Sequence, residues 1–357
     1  LSALTLAELG GWSKVLGRLI SGQHLEAAEA GAALAEVLAG NATDAQVAAF
    51  ITALRIKGET VEELAGLVRT MLDFAQPLDV PGDLVDTCGT GGDGSCSINV
   101  STIAAFVVAG AGARVCKHGG RAASSASGSA DVLEALGVVI DLGPEGVASC
   151  LGAAGMGFCF APRFHPAMRH AGPIRRQLGV ATVFNFLGPL ANPARARYQV
   201  VGVSDPAMAE TMTGVLAANG SVRAMVVYGH DGLDELSTTG PSTVHDLVAR
   251  PDGTVTVRTL VVDPGQLGLA PADLKSLRGG DAAANAAAAK AVLRGEAGPH
   301  RDIVVLNAAA GLVVAGRAED LVEGLGLAEA SIDDGRAAEV LERLVTASVE
   351  AADVGAG

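Results

Sequence analysis

Residues 86–102 read DTCGTGGDGSCSINVST, with glycine at four of six consecutive positions, Gly89, Gly91, Gly92 and Gly94, followed by small hydroxyl and amide residues. Such a run marks a loop whose backbone either turns where side chains are disfavoured or is approached closely by something that a Cβ would exclude. An apolar stretch ends at Cys88 and a helical pattern runs from about Ser101 to Ala111, so the loop joins a strand to a helix. That wiring belongs to α/β folds.

The alternation continues downstream. ARVCK at 113–117, Val138–Asp141, Gly157–Phe160, Tyr198–Val203, Ala224–Tyr228 and Val255–Val262 read as strands separated by helical patterns. They predict a mostly parallel sheet flanked by helices. Upstream the pattern is helical only: Trp12, Val15, Leu16, Leu19 and Ile20 keep helical spacing up to Gly22, and Thr43-x-x-Gln46 and Thr60-x-x-Glu63 form capping boxes. The expected organisation is a small all-helical domain over 1–76 and a large α/β domain over 77–357. Part of 166–190, rich in helix signals and broken by Gly-Pro, is a candidate to return to the helical unit.

Acidic residues outnumber basic ones by 39 to 25, and a net charge of -14 argues against nucleic-acid or anionic-membrane partners, which need a basic face. A small-molecule partner is expected. The cysteines at 88, 96, 116, 150 and 159 form no CxxC pair, as expected for reduced thiols. No basic start with an apolar core opens the sequence, and no uncharged run reads as a membrane span, so the expectation is a cytoplasmic protein.

GTGGDG at 89–94 formally matches G-x-G-x-x-G, which raises a NADP-dependent oxidoreductase. In that motif the helix opens inside the glycine run and an acidic residue follows about twenty positions on. Here CSIN intervenes and residues 114–121 are basic. A P-loop lacks its closing Gly-Lys-Ser/Thr. What remains is a bare-backbone cradle for anionic oxygens, with Asn99, Ser101 and Thr102 at a helix N-terminus, or more plainly a tight turn with a cap.

Further on, KHGGRAASSASGSAD at 117–131 sets Lys117, His118 and Arg121 just after Arg114 and then supplies Ser124, Ser125, Ser127 and Ser129, a second anion site or a basic surface turn. HDGLDELSTT at 230–239 gathers Asp231, Asp234 and Glu235, hard oxygen donors suited to Mg²⁺ or a solvated acidic loop. Together the three clusters describe a magnesium-bound polyphosphate ligand. His165 and Arg175 suit a substrate carboxylate or an ordinary salt bridge. No hydrolase triad, HExxH or metal-thiolate spacing is present.

In order and spacing, GTGGDGSCSINVST, KHGGRAASSASGSADVLEALG, FAPRFHPAMRHAGPIRRQLG, VFNFLGPLANP and GLDEL resemble the anthranilate phosphoribosyltransferase family, from about residue 12 to the C-terminal helices. The resemblance implies a nucleoside phosphorylase/phosphoribosyltransferase-like α/β fold and a homodimer formed through the helical domain. It implies Mg²⁺-assisted transfer of phosphoribose from phosphoribosyl pyrophosphate to the amine of anthranilate, in tryptophan biosynthesis. Carried over by position, the donor would meet Gly89, Gly92, Asp93, Ser97, Asn99, Val100, Ser101 and Thr102. Lys117, His118, Gly119, Gly120, Arg121, Ala122, Ala123, Ser124, Ser125 and Ser129 would complete that site. Magnesium would sit on Ser101, Asp234 and Glu235, the acceptor near Gly89, Gly120, His165 and Arg175, and Lys117 and Arg121 would neutralise the leaving pyrophosphate. Two positions depart from the family pattern. Ser97 replaces a threonine, and Gly120 replaces the asparagine of KHGNR, an acceptor contact, which leaves a different aromatic acceptor open.

Overall fold

The computed structural model describes residues 4–122 and 126–355. Helices Gly11–Ile20, Ala27–Leu38, Asp44–Lys57 and Val61–Asp73 open the chain. Both expected capping boxes form, with Thr43 Oγ1 accepting the Gln46 N–H at 3.3 Å and Thr60 Oγ1 accepting the Glu63 N–H at 3.2 Å. Glu63 does more than cap. Fully buried, it also accepts the Leu25 N–H at 2.9 Å and pairs with Lys57 at 2.8 Å, tying two helices and a loop together. The second and fourth helices pack so closely that a Cβ on Gly66 would overlap the Ala27 backbone.

Seven strands follow: β1 (Val85–Gly89), β2 (Val115–Gly119), β3 (Met156–Phe160), β4 (Tyr198–Gly202), β5 (Arg223–Gly229), β6 (Ser242–Ala249) and β7 (Val255–Val262). They form one sheet in the order β3-β2-β1-β4-β5-β6-β7. The first five are parallel, while β6 and β7 are antiparallel additions joined by a tight hairpin in which the Arg250 N–H meets the Thr254 carbonyl at 2.8 Å. The architecture is thus a helical bundle joined to a large α/β unit with a mostly parallel sheet.

Residues 138–141 are not a strand. Val138 and Ile140 do point into the core, which explains the strand-like alternation, but the Val139 N–H bonds Ser348 Oγ on the last helix at 2.9 Å and no strand among the described residues lies alongside. Conversely β6, STVHDLVA, carries too many polar residues to announce itself, because Ser242, Thr243 and Asp246 are buried polar positions.

One core fills the space around β1–β3 and the C-terminal helices. A second is shared by the N-terminal helices, residues 171–191, Val201, Val203, the helix Pro206–Ala218 and β5. No helix among the described residues is long and apolar enough to cross a membrane.

Candidate active site

The chain adds β2 and β3 on one side of β1, then returns to lay β4 and β5 on the other. Where strand order reverses in this way, the loops leaving the two central strands diverge, and a crevice opens at their carboxyl ends. A polar cleft of about 290 Å³ lies there. Its lining takes in Gly89, Gly92, Asp93, Ser97, residues 99–102, residues 117–122, Ser129, Asp234 and Glu235. Ala123, Ser124 and Ser125 lie outside the described residues.

Two different reasons account for the glycines. Gly91, Gly92 and Gly94 have φ of +67°, +80° and +70° and no neighbour within 4 Å of an added Cβ, so they serve backbone conformation. Gly89 serves proximity, since a Cβ there would collide with the Asp234 carboxylate, and one on Gly202 at the end of β4 would overlap the Asp234 backbone. The close neighbour of the glycine run is therefore the acidic turn. Asp234 Oδ2 accepts the Gly91 N–H at 2.7 Å, and Glu235 Oε1 accepts the Ser101 N–H at 3.1 Å at the start of the helix Val100–Gly110.

Asn99 does not cap that helix. Its amide donates to the Ser127 carbonyl at 3.1 Å and its oxygen accepts from Asn285 at 2.8 Å, joining the glycine loop and the basic loop to the helix Ala282–Leu293. The glycine loop is further fastened where the Ile98 N–H meets the Leu277 carbonyl at 3.1 Å and the Gly279 N–H meets the Cys96 carbonyl at 2.8 Å. Nothing in the periodicity of 276–285 signals this support.

Lys117 is 2% exposed and donates to the Thr87 carbonyl and to Ser101 Oγ, the latter at 3.1 Å. Arg121 behaves otherwise. Its half-exposed side chain is held by Asp131 at 2.9 Å and Glu134 at 2.5 Å on the rim, directed to the helix Ser129–Ala135. His118 has its Nδ1 3.1 Å from the Gly188 carbonyl, which can only accept, so Nδ1 carries the proton. His165 and Arg175 stand outside the lining. His165 is buried with its ring 5.0 Å from that of His118, and Arg175 lies 5.0 Å over Phe184, whose neighbour Asn185 does reach the cleft. Arg175 makes no ion pair among the described residues, and burial pushes its guanidinium below the usual range.

The acidic turn is not the solvated loop that its composition suggests. Burial and then the neighbouring Asp93 push the Asp234 carboxyl up to about 6; burial and then Asp234 push Glu235 well above the usual carboxylate range. Two buried carboxylates thus stand beside Asp93 with the Lys117 ammonium across from them, a charge that a divalent cation would offset. No group of three or more His, Cys, Asp or Glu among the described residues forms a cage, but Mg²⁺ keeps several waters and takes one or two carboxylates beside substrate phosphates, so the pair fits it.

Comparison with known proteins agrees with this geometry. The model of the glycosyl transferase family, a/b domain, matches residues 81–338, and that of the family's helical bundle domain matches 13–75. The anthranilate phosphoribosyltransferase of Chloroflexus aggregans is 52% identical over 336 residues, covering 94% of this chain and 98% of that one. The chain belongs to the anthranilate phosphoribosyltransferase family. The structure of the Thermus thermophilus member superposes with a TM-score of 0.87 at 42% identity, covering 94% and 99% of the two chains. The Saccharomyces cerevisiae member, in complex with PRPP and Mg, does so at 0.86 and 29%, covering 95% and 98%, and has also been solved with 4-fluoroanthranilate. The oxidoreductase reading loses its support in this setting, because the helix opens at Val100, well after the last glycine of the run.

Proposed function

We propose that this chain transfers phosphoribose from phosphoribosyl pyrophosphate to the amine of anthranilate, giving N-(5-phosphoribosyl)anthranilate and pyrophosphate for tryptophan biosynthesis. The observation that carries the reading is the convergence, in one cleft at the switch point of the sheet, of the glycine loop, the Lys117–Gly120 strand end and the Asp234–Glu235 pair. The names of the similar proteins, the PRPP complex and the 4-fluoroanthranilate complex support it.

Backbone N–H groups of Gly92–Gly94 would hold phosphate oxygens, since those of Gly91 and Ser101 already meet Asp234 and Glu235. Ser101, Asp234 and Glu235 would hold Mg²⁺, which supplies charge neutralisation on the diphosphate. Lys117 places an ammonium on the cleft wall, where negative charge develops on the leaving pyrophosphate. Arg121 would add to this only after leaving Asp131 and Glu134. Arg175, a half-buried cation with no carboxylate partner among the described residues, suits the carboxylate of anthranilate, and His165 supports the ring of His118. The amine is neutral near pH 7, so no strong base is required.

Ile20 and Ile56, 76% and 83% exposed on the helical bundle, suit a homodimer face, which sedimentation would test. Five free thiols suit a reducing cytoplasm. The deciding experiment is pyrophosphate release from phosphoribosyl pyrophosphate with anthranilate and with other aromatic amines, with and without Mg²⁺. Anthranilate-dependent release that disappears in Asp234→Ala/Glu235→Ala is the expected result. Release with another amine but none with anthranilate would overturn the acceptor.

A further inference from the structure

Behind the cleft, the ladder between β1 and β2 stops early. Val85 pairs with Val115 and no later pair forms, whereas β2 and β3 stay in register through Gly119 and Phe160. Main-chain groups of β2 that would have faced β1 must find other partners, since an unpaired buried N–H or C=O costs about as much as a lost hydrogen bond. They find side chains. The Asn192 amide donates to the Cys116 carbonyl at 2.8 Å, and Asp86 Oδ1 accepts the His118 N–H at 3.2 Å. The second hydrogen of the amide joins the two, reaching Asp86 Oδ2 at 2.8 Å. Asn192 is itself oriented by the Ala194 N–H on its oxygen at 2.9 Å.

Cys116 and His118 flank Lys117. The clamp therefore grips the strand one residue to each side of the buried lysine, and the splayed strands leave a wedge in which the Lys117 ammonium reaches the Thr87 carbonyl of β1 and Ser101 Oγ. Asp86 has no exposed surface, and among the causes acting on its carboxyl the Lys117 charge is the largest that opposes burial. A buried carboxylate is costly unless paired, and an apolar side chain would be the cheaper filler if packing were its only task.

We propose that Asp86 and Asn192 are positioning residues for the transfer. They substitute for the missing ladder, hold the Lys117–Gly119 strand end open, and direct Lys117 at the diphosphate of the donor. The inference rests on the donor reading of the cleft.

The test uses Asp86→Asn, which keeps shape but loses the charge and sets one amide against another, and Asn192→Ala, which removes the amide and leaves the carboxylate. In both, KM for phosphoribosyl pyrophosphate rises about two- to ten-fold, the range for one net hydrogen bond, and KM for anthranilate stays within about two-fold. Donor binding by calorimetry on Lys117→Met then shows whether the effect passes through the lysine, since adding Asp86→Asn should change it little. Donor and acceptor constants that worsen together in step with a fall in Tm, an unchanged donor constant, or full additivity with Lys117→Met would each overturn the proposal. Should Asp86→Asn fail to fold, Asn192→Ala decides by the same constants. Donor calorimetry also separates the two ideas: a wild type that binds the donor but does not use anthranilate refutes the acceptor and leaves the clamp standing.

Discussion

At Gly120 an added Cβ would meet only the Ala161 Cβ at 3.8 Å, an ordinary contact, and the backbone does not demand glycine. The residue is a choice rather than a constraint. Gly120→Asn is therefore accommodated and should lower KM for anthranilate about two- to ten-fold, the range for one net hydrogen bond, with the donor KM little changed. Comparing kcat/KM for anthranilate and ring-substituted analogues on both proteins checks this, and a wild-type preference for the bulkier amines would mean that glycine makes room. His118 carries a different consequence. Burial, and then the charge of His165, pushes its imidazole down to about 3, with Lys117 a smaller influence of the same sign. The unfolded imidazole takes up a proton near pH 6.5 while the folded one refuses it, so stability is lost as pH falls from about 6.5 towards 3. Asp86, pushed up to about 6 mainly by burial, acts oppositely: its contribution is present below about pH 4 and lost as pH rises through 6. His118→Gln should accordingly flatten the decline of Tm between about pH 7 and 5, and an unchanged slope would contradict a neutral buried imidazole.

Among the elements, the close approach of the acidic turn to β1 and β4 explains why both strands end in glycine. Gly202→Ala would force the Asp234 backbone away from β4, at a cost of about 1 to 3 kcal/mol for overpacking, and should weaken Mg²⁺-dependent turnover more than the loss of stability accounts for. Urea unfolding beside a magnesium titration of activity measures both. The glycine run, the basic loop and the two capping boxes were readable because each is local: a dihedral demand, a charge density or a reciprocal bond three residues apart announces itself in sequence. What a sequence hides is long-range. Asn285 reaching Asn99 and Asn192 reaching Asp86 and Cys116 join segments far apart in the chain, and an asparagine carries no mark of its eventual partner. The partners of Arg121 are hidden for the same reason, because Asp131 and Glu134 reach it from a following helix.

For the molecule as a whole, the second core binds the N-terminal helices to β4, β5 and the helix Pro206–Ala218, so the helical bundle and the half of the sheet beside the cleft stand or fall together. Substitutions in that shared core should disturb the cleft even when far from it. The opposite edge is freer. β6 runs back from the cleft end of β5, which places the hairpin at residues 250–254 at the opposite end of the sheet from the cleft loops, leading into β7, whose residues are mostly exposed. That edge is an attachment point. A fluorescent or affinity module spliced between Pro251 and Gly253 would ride on the enzyme without touching its chemistry, and unchanged kcat/KM for both substrates in such a fusion is the expected reading, whereas a fall would reveal strain passing through β6.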